Sequence, residues 1–276
     1  MTHEPNFYPD LKIVPVEDLI LQEYVQKSRM KKLANEIQTE GFLRNPPIVT
    51  NFFQGKYLHL DGANRITAIQ LLKYPSCLVQ VVDYSDPSHV RLMSWSHLVS
   101  VDEKKYLDGI KALPNVEVRE LTAFSNRYLL RARVLCVIMF RNGKVYECST
   151  NAPYTEAVAL MGKCVDLYGS ADVERVFSAS PWTTSSIQNR FERYTEKNMF
   201  VVFPNFSPQQ VITLVDKGVL MPAGVTRHVV YRRKLNVNMP LELLQITPVE
   251  KANEALQKFL QHRSVRLYEE PVIYFE

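Results

Sequence analysis

Two periods of hydrophobic positions run through the first hundred residues. Strand-like apolar runs lie at residues 11–16, 46–49, 57–60 and 78–82. Apolar side chains at helical spacing predict helices at residues 28–40 and 63–72. Gly41 lies where the first of these helices would stop. The order strand, helix, strand, turn, helix, strand predicts a small α/β domain over residues 1–100.

The second half of the chain shows the same two periods. Strand-like runs lie at residues 133–140, 144–149, 199–203 and 227–232, and the tail at 263–276 has β character. Helical spacing is found at residues 103–112, 154–168 and 249–262. Asn142-Gly143 is a strong hairpin signal, and Ser207-Pro208 opens a helix that Gly218 closes. We therefore predict a second α/β domain over residues 101–276 with a C-terminal helix, and an α/β fold of mixed α+β character.

Composition and charge narrow the class of protein. Apolar residues make up 46% of the chain, charged residues 22%, and the net charge is +4, so a soluble globular protein without a broad DNA-binding surface is expected. The longest apolar run, at residues 134–140, is far shorter than the ~20 residues of a membrane helix. The four cysteines form no CxxC pair, which argues against structural zinc and disulfides. We expect no membrane association and a cytoplasmic location.

The strongest chemical signal is a strand that runs directly into a turn and a helix at Asp61-Gly62-Ala63-Asn64-Arg65. The start of a helix presents free backbone N–H groups and a positive dipole end, which suit a phosphate. Arg65 adds a forked donor for phosphate oxygens, and Asp61 could hold a divalent metal or orient Arg65. From spacing alone, a plain strand-to-helix turn with a surface arginine explains the segment equally well. Nine glycines in the chain, with no Walker motif, exclude a glycine-rich nucleotide loop.

The spacing Gly62-x-x-Arg65-x-x-Ala68 resembles the phosphate-binding motif of the ParB/sulfiredoxin fold, and Pro46-Pro47-Ile48-Val49 upstream matches the same pattern. Within that superfamily the chain is most similar to the free L-serine kinases, including those of staphyloferrin B siderophore clusters. The resemblance covers about residues 10–100 and a short motif near residue 226. It implies a ParB/sulfiredoxin-like N-terminal domain. It also implies nucleotide-phosphate binding by five residues: Gly62, Ala63, Asn64, Arg65 and Thr67.

The same resemblance assigns the acceptor side of a kinase site. It makes Glu23 the catalytic base, in a segment where the kinases usually have His-Glu and this chain has Gln22-Glu23. It makes Thr226, Arg227 and His228 the residues that grip serine and its new phosphate. Trp95 is a weaker candidate for the wall of this pocket. Taken without the resemblance, Glu23 reads as a solvated turn residue and Trp95 as a core residue.

The implied reaction is phosphorylation of free L-serine to O-phospho-L-serine. ATP or ADP would be the donor, and Mg²⁺ held by Asp61 would bridge the phosphate oxygens. The product would feed siderophore or amino-acid biosynthesis through a phosphoserine-using synthase. The choice of ATP or ADP, the pathway, and a homodimer as the oligomeric state are left open.

Three alternatives compete with the kinase. The first is a ParB-like DNA-binding transcriptional regulator with a nucleotide or haem switch, for which Arg127, Arg131 and Arg133 form a small basic cluster. Neither a second ParB-type motif nor a helix-turn-helix stands out, and no residue marks a haem ligand, yet a dual role stays open. The second, sulfiredoxin-like repair, needs a cysteine where this chain has Ala63. The third is a non-catalytic interaction module.

Overall fold

In the computed structural model of this protein, residues 10–25, 27–169 and 172–267 are described. In this part of the chain the strands are β1 Leu11–Pro15, β2 Leu19–Ile20, β3 Phe42–Leu43, β4 Ile48–Asn51, β5 Tyr57–Asp61, β6 Ser76–Val81, β7 Val90–Ser94, β8 Ser96–Val99, β9 Val116–Leu121, β10 Val134–Phe140, β11 Val145–Thr150, β12 Glu174–Val176, β13 Met199–Val202, β14 Thr226–Val230 and β15 Met239–Pro240. The α-helices are α1 Lys27–Glu40, α2 Ala63–Leu71, α3 Glu103–Lys111, α4 Tyr154–Asp166, α5 Thr184–Arg193, α6 Pro208–Asp216 and α7 Val249–Gln261. Short 3-10 helices lie at Val16–Asp18, Phe53–Gly55, Asn126–Leu130 and Leu241–Gln245.

The chain divides into two compact units that are discontinuous in sequence. The first contains described residues of 10–21, 25–91 and 230–267, and the second contains 22–24 and 92–229. This division differs from the predicted domains 1–100 and 101–276, because the segment that carries α7 belongs to the first unit. Among the described residues, no helix has the length and apolar character needed to cross a membrane.

The first unit is built on a five-stranded mixed sheet in the order β1-β6-β4-β5-β2. β1 pairs antiparallel with β6, β6 pairs parallel with β4, and β5 pairs antiparallel with β4 and parallel with β2. The sheet places the end of β5 next to the start of α2. The predicted strand-turn-helix at Asp61–Ala63 is therefore present in the structure.

Helix α7 closes the core of the first unit. Its buried residues Ala252, Leu256 and Leu260 lie in the same apolar cluster as Ile13 of β1. Asn253 of α7 adds a backbone-like link, since its side-chain amide donates to the carbonyl of Ile13 and its Oδ1 accepts from the Ile13 N–H. The apolar face of α7, read from the sequence as part of a second domain, is thus covered by the N-terminal strand.

The second unit is built on a six-stranded sheet in the order β12-β8-β13-β10-β11-β9, in which every neighbouring pair is antiparallel. The predicted hairpin joins β10 and β11, and Gly143 in its turn has φ +89°. Helix α6 begins with the predicted Ser207 cap and Pro208, and Ser207 forms a capping box with Gln210. β7 and β14 form a separate two-stranded sheet.

Several elements differ from the prediction. β8, β9 and β12 were not predicted, because they are short or carry polar residues on an exposed face. Residues 263–267 form no strand, and the rest of the predicted β tail lies outside the described residues.

Candidate active site

The turn between β5 and α2 leads into a helix that no side chain of its N-cap residue caps. Gly62 has φ 98° and ψ 27° and brings no side chain to cap α2. Its carbonyl accepts from the N–H groups of Arg65 and Ile66 at 2.9 and 3.1 Å. The N–H groups at the start of an α-helix have no acceptor within the helix, so the start of α2 has the backbone arrangement of an anion site.

Arg65 is fixed in place beside this turn. Its Nη1 donates to the carbonyl oxygens of Asn45 and Pro46 at 2.9 and 3.2 Å, and its Nη2 donates to Asp61 Oδ2 at 3.0 Å. A Cβ at Gly62 would lie 2.9–3.0 Å from three atoms of this guanidinium group. Gly62 is therefore required twice, for its positive φ and for the close approach of Arg65.

A second arginine, which was not predicted from the sequence, reaches the same carboxylate. Arg233, in the segment after β14, donates to Asp61 Oδ2 at 2.7 Å. Burial alone would raise the pKa of Asp61, but the charges of Arg65 and Arg233 lower it to about 2. Asp61 is thus a carboxylate at neutral pH that orients two guanidinium groups. Nothing in the motif spacing points to Arg233, which lies far from the turn in sequence.

Asp61, the predicted Mg²⁺ ligand, already pairs with two arginines through one of its carboxylate oxygens. Its Oδ2 already accepts from two arginines, and no group of three or more His, Cys, Asp or Glu in the described part of the chain is arranged to hold a metal. A metal at this turn would therefore take at most the Asp61 carboxylate from the described residues. This donor set fits Mg²⁺ as an ion that takes most of its ligands from phosphate and water, which is its usual mode at nucleotides.

The other predicted phosphate ligands lie around the same turn. Ala63 is buried at the start of α2, and Thr67 Oγ1 donates to the Ala63 carbonyl at 2.9 Å. Asn64 Oδ1 is buried and makes no hydrogen bond among the described residues. Both ring nitrogens of buried His59, on β5, likewise lack a hydrogen-bond partner there. Burial lowers the pKa of His59 to about 4, although the charge of Asp61 acts in the opposite sense, so the imidazole is neutral at pH 7.

The residues predicted to hold the acceptor lie in the second unit. The Arg227 guanidinium lies over the ring of Trp95 at 4.1 Å and over the ring of Phe177 at 3.9 Å, measured to the ring centroids. The backbone N–H of Trp95 donates to the Val225 carbonyl at 2.8 Å, which ties the segment before β14 to the residue before β8. The Trp95 ring therefore packs against the guanidinium group of Arg227. Phe177, which no sequence motif indicates, packs against the same guanidinium group.

Glu23 is held by backbone pairing in the same unit. It pairs in parallel with Met221, because Tyr24 donates to the Met221 carbonyl at 3.3 Å and Met221 donates to the Gln22 carbonyl at 2.6 Å. Gln22, which replaces the histidine usual in the kinases, is buried with its Nε2 3.5 Å from Nδ1 of His228. The Glu23 segment and the Thr226–His228 segment are thus neighbours.

Thr226 and His228 are both buried. The hydroxyl oxygen of Thr226 makes no hydrogen bond within the described ranges. A buried hydroxyl without a partner is costly, so a ligand that bonded it would remove a penalty. The predicted site residues therefore form two groups: Asp61–Arg65 with Thr67 in the first unit, and Glu23, Trp95 and Thr226–His228 in the second.

The chain and its fold are similar to known proteins. No protein-family model matches the chain. Its fold is that of solved free serine kinases: a free serine kinase in complex with AMP superposes with a TM-score of 0.69 at 16% identity, over 85% of this chain and 93% of that one. A variant of that kinase in complex with ADP gives the same TM-score and identity, over 85% of this chain and 94% of its own.

The chain is similar to the ATP-dependent L-serine kinase SbnI of Staphylococcus aureus, at 26% identity over 244 residues, which is 87% of this chain and 86% of that protein. A C-terminally truncated SbnI structure superposes with a TM-score of 0.70 at 22% identity, covering 93% of this chain and 98% of its own. The ATP-dependent L-serine kinase of Staphylothermus marinus is 32% identical over 100 residues, or 39% of its length. The resemblance to the free L-serine kinases and the α/β fold class are confirmed.

Proposed function

We propose that this protein is an ATP-dependent free L-serine kinase that transfers the γ-phosphoryl group of ATP to the hydroxyl of L-serine. The observation that carries the proposal is the similarity to SbnI over 87% of the chain, which spans both groups of candidate residues. The names of two archaeal relatives specify the same reaction, and all three names specify ATP. These names support ATP over ADP as the donor.

The nucleotide phosphates would bind at the start of α2. The start of α2 supplies backbone N–H groups from Gly62, Ala63 and Asn64, and the side chains of Asn64 and Thr67 add polar atoms. Arg65 is preorganised by three hydrogen bonds and adds a positive charge. Asp61 would help to hold Mg²⁺, which would supply positive charge to the phosphate groups.

The serine hydroxyl would be activated by Glu23. In the transfer step the Oγ–H proton passes to the Glu23 carboxylate, a new bond forms between serine Oγ and the γ-phosphorus, and the bond to the β–γ bridging oxygen breaks to release ADP. Arg227 is steadied by Trp95 and Phe177, so its fork can screen the charge of the phosphoryl group. Thr226 and His228 would bond the substrate. Most of the rate acceleration comes from positioning and electrostatics.

Phosphorus NMR with Mg²⁺, L-serine and either ATP or ADP tests the proposal. We expect an O-phosphoserine signal that grows with loss of the γ-phosphate of ATP, and none with ADP alone. Omitting Mg²⁺ should suppress the signal. No phosphoserine with either nucleotide would contradict the proposed activity.

The DNA-binding alternative is not favoured by the comparisons, and a duplex-binding assay with a steep salt dependence would be needed to revive it. Cytoplasmic location, delivery of the product to a phosphoserine-using synthase of siderophore or amino-acid biosynthesis, haem binding and a homodimer stay predictions. They require experiments beyond the kinase assay.

A further inference from the structure

The edge strand of the second unit brings an arginine to the acceptor residues. β12 pairs antiparallel with β8, and the register sets Arg175 opposite His97. Because side chains alternate along a strand and opposed residues share a face, Trp95 and His97 lie on the same face as Arg175 and Phe177. The opposite face, with Leu98 and Val176, packs into the apolar core. The polar face of the β8–β12 pair therefore belongs to the acceptor region.

The segment before β14 crosses this face. The Gly224 carbonyl lies 2.8 Å from Nε2 of His97, and a Cβ at Gly224 would overlap the guanidinium group of Arg175. Three residues further along, Arg227 lies over Trp95 and Phe177. One guanidinium group thus lies against Gly224, and a second lies over Trp95 and Phe177.

The positive charge at this place comes from the arginines and not from the imidazole. His97 is buried between Tyr168, whose hydroxyl is 2.6 Å from Nδ1, and the Gly224 carbonyl. Burial, aided by the charge of Arg175, lowers the pKa of His97 to about 4, although the hydrogen bond to Gly224 acts in the opposite sense. With Nε2–H donating to Gly224, His97 is a neutral support for the segment.

O-phospho-L-serine carries two anionic groups, a phosphate on the side chain and an α-carboxylate. A planar guanidinium group is the side chain best matched to either of them. The resemblance to the kinases brings one arginine, Arg227, to serine and its new phosphate, and two anionic groups can use a second guanidinium group. Arg175 lies against Gly224, on the strand face that carries Trp95 and Phe177, and so brings a second guanidinium group to the segment that contains Arg227.

We propose that Arg175 binds the α-carboxylate of the amino-acid acceptor and makes the site selective for free amino acids over amino alcohols. This inference rests on the proposed kinase function and adds to it a specificity residue from β12. Gly224 leaves room for Arg175 at this site, because any side chain at position 224 would occupy the position of the Arg175 guanidinium group.

Isothermal titration calorimetry with O-phospho-L-serine and O-phosphoethanolamine tests the inference, since these two ligands differ only in the carboxylate. The wild-type protein should bind phosphoserine more tightly. Arg175→Gln should weaken phosphoserine binding by about 10- to 100-fold and leave phosphoethanolamine binding unchanged. Arg175→Lys keeps the charge without the fork, so its loss should be smaller. The matched control is Arg190→Gln. It removes a half-buried arginine of α5 whose guanidinium group lies over the ring of Trp182. This variant should bind both ligands like wild type.

An equal loss for both ligands in Arg175→Gln, or no loss for phosphoserine, would overturn the inference. Circular dichroism melting shows whether the variant is folded, and Arg175→Lys carries the same test if the glutamine variant is not. The two proposals fail differently. Absence of phosphoserine formation by the wild-type protein counts against the kinase. An active wild-type protein whose Arg175 variants lose equal affinity for both ligands, or none for phosphoserine, counts against the carboxylate site alone.

Discussion

Gly62→Ala is expected to damage nucleotide binding more than stability. The substitution places a Cβ 2.9–3.0 Å from the Arg65 guanidinium and on a backbone with φ +98°. The left-handed conformation costs an L-residue about 1–2 kcal/mol of unfolding free energy. Arg65 must also move away from Asp61 and the two carbonyls that fix it. Once displaced, Arg65 can no longer make a charge-assisted hydrogen bond to phosphate. The affinity for ADP is therefore expected to be roughly 10- to 100-fold weaker.

Gly41→Ala is the matched control in the same unit. Gly41 has φ +73°, yet among the described residues no atom beyond its chain neighbours lies within 4 Å of the position that a Cβ would take, so this variant carries the backbone strain without the clash. Gly41→Ala should melt roughly 2–8 °C below wild type, and Gly62→Ala lower still because Arg65 also loses its hydrogen bonds. Only Gly62→Ala should lose ADP affinity in calorimetry. Wild-type affinity in Gly62→Ala, or an equal loss in Gly41→Ala, would refute the placement of phosphate at this turn.

Three further outcomes are expected. Glu23→Gln should lower kcat by about 10²–10⁴ with ADP affinity intact, measured by coupled assay and calorimetry. His59 and His97 are neutral when folded, with pKa values of about 4 against 6.5 when unfolded. Protons therefore bind the unfolded state preferentially between these values, and urea unfolding should show stability falling from pH 7 to pH 5 by about 2 kcal/mol per histidine. Leu256→Ala should cost about 2–5 kcal/mol in the same assay, and exposed Glu254→Ala almost nothing.

Periodicity was enough to predict the elements that bury a clear apolar face. α1, α2 and α7 and the β10–β11 hairpin lie within a few residues of their predicted bounds. β12 escaped prediction because a three-residue strand is too short to show a period. The assignment of α7 to a second domain followed from its position in the sequence. Its actual partner, β1, is specified by shape and burial between segments that no local pattern connects.

The site shows the same division between local and distant information. The Gly62–Arg65 turn and the Thr226–His228 segment are contiguous in sequence, so their spacing could be matched to a known motif. Arg233 and Arg175 reach the candidate site through contacts made only when the chain folds: an ion pair with Asp61 for Arg233, and a close approach to Gly224 for Arg175. A lone arginine in a long sequence carries no signal of either contact.

The packing of α7 against β1 also sets the order of events during translation. Asn253 bonds Ile13 across 240 residues of sequence, so the ribosome must add all of the second unit before the first can close its core. At ordinary elongation rates this takes roughly 12–48 s. Throughout that interval the nascent β1–β6 surface, including Ile13 and Leu78, lacks its cover. The growing chain is therefore expected to be a chaperone client until α7 leaves the exit tunnel.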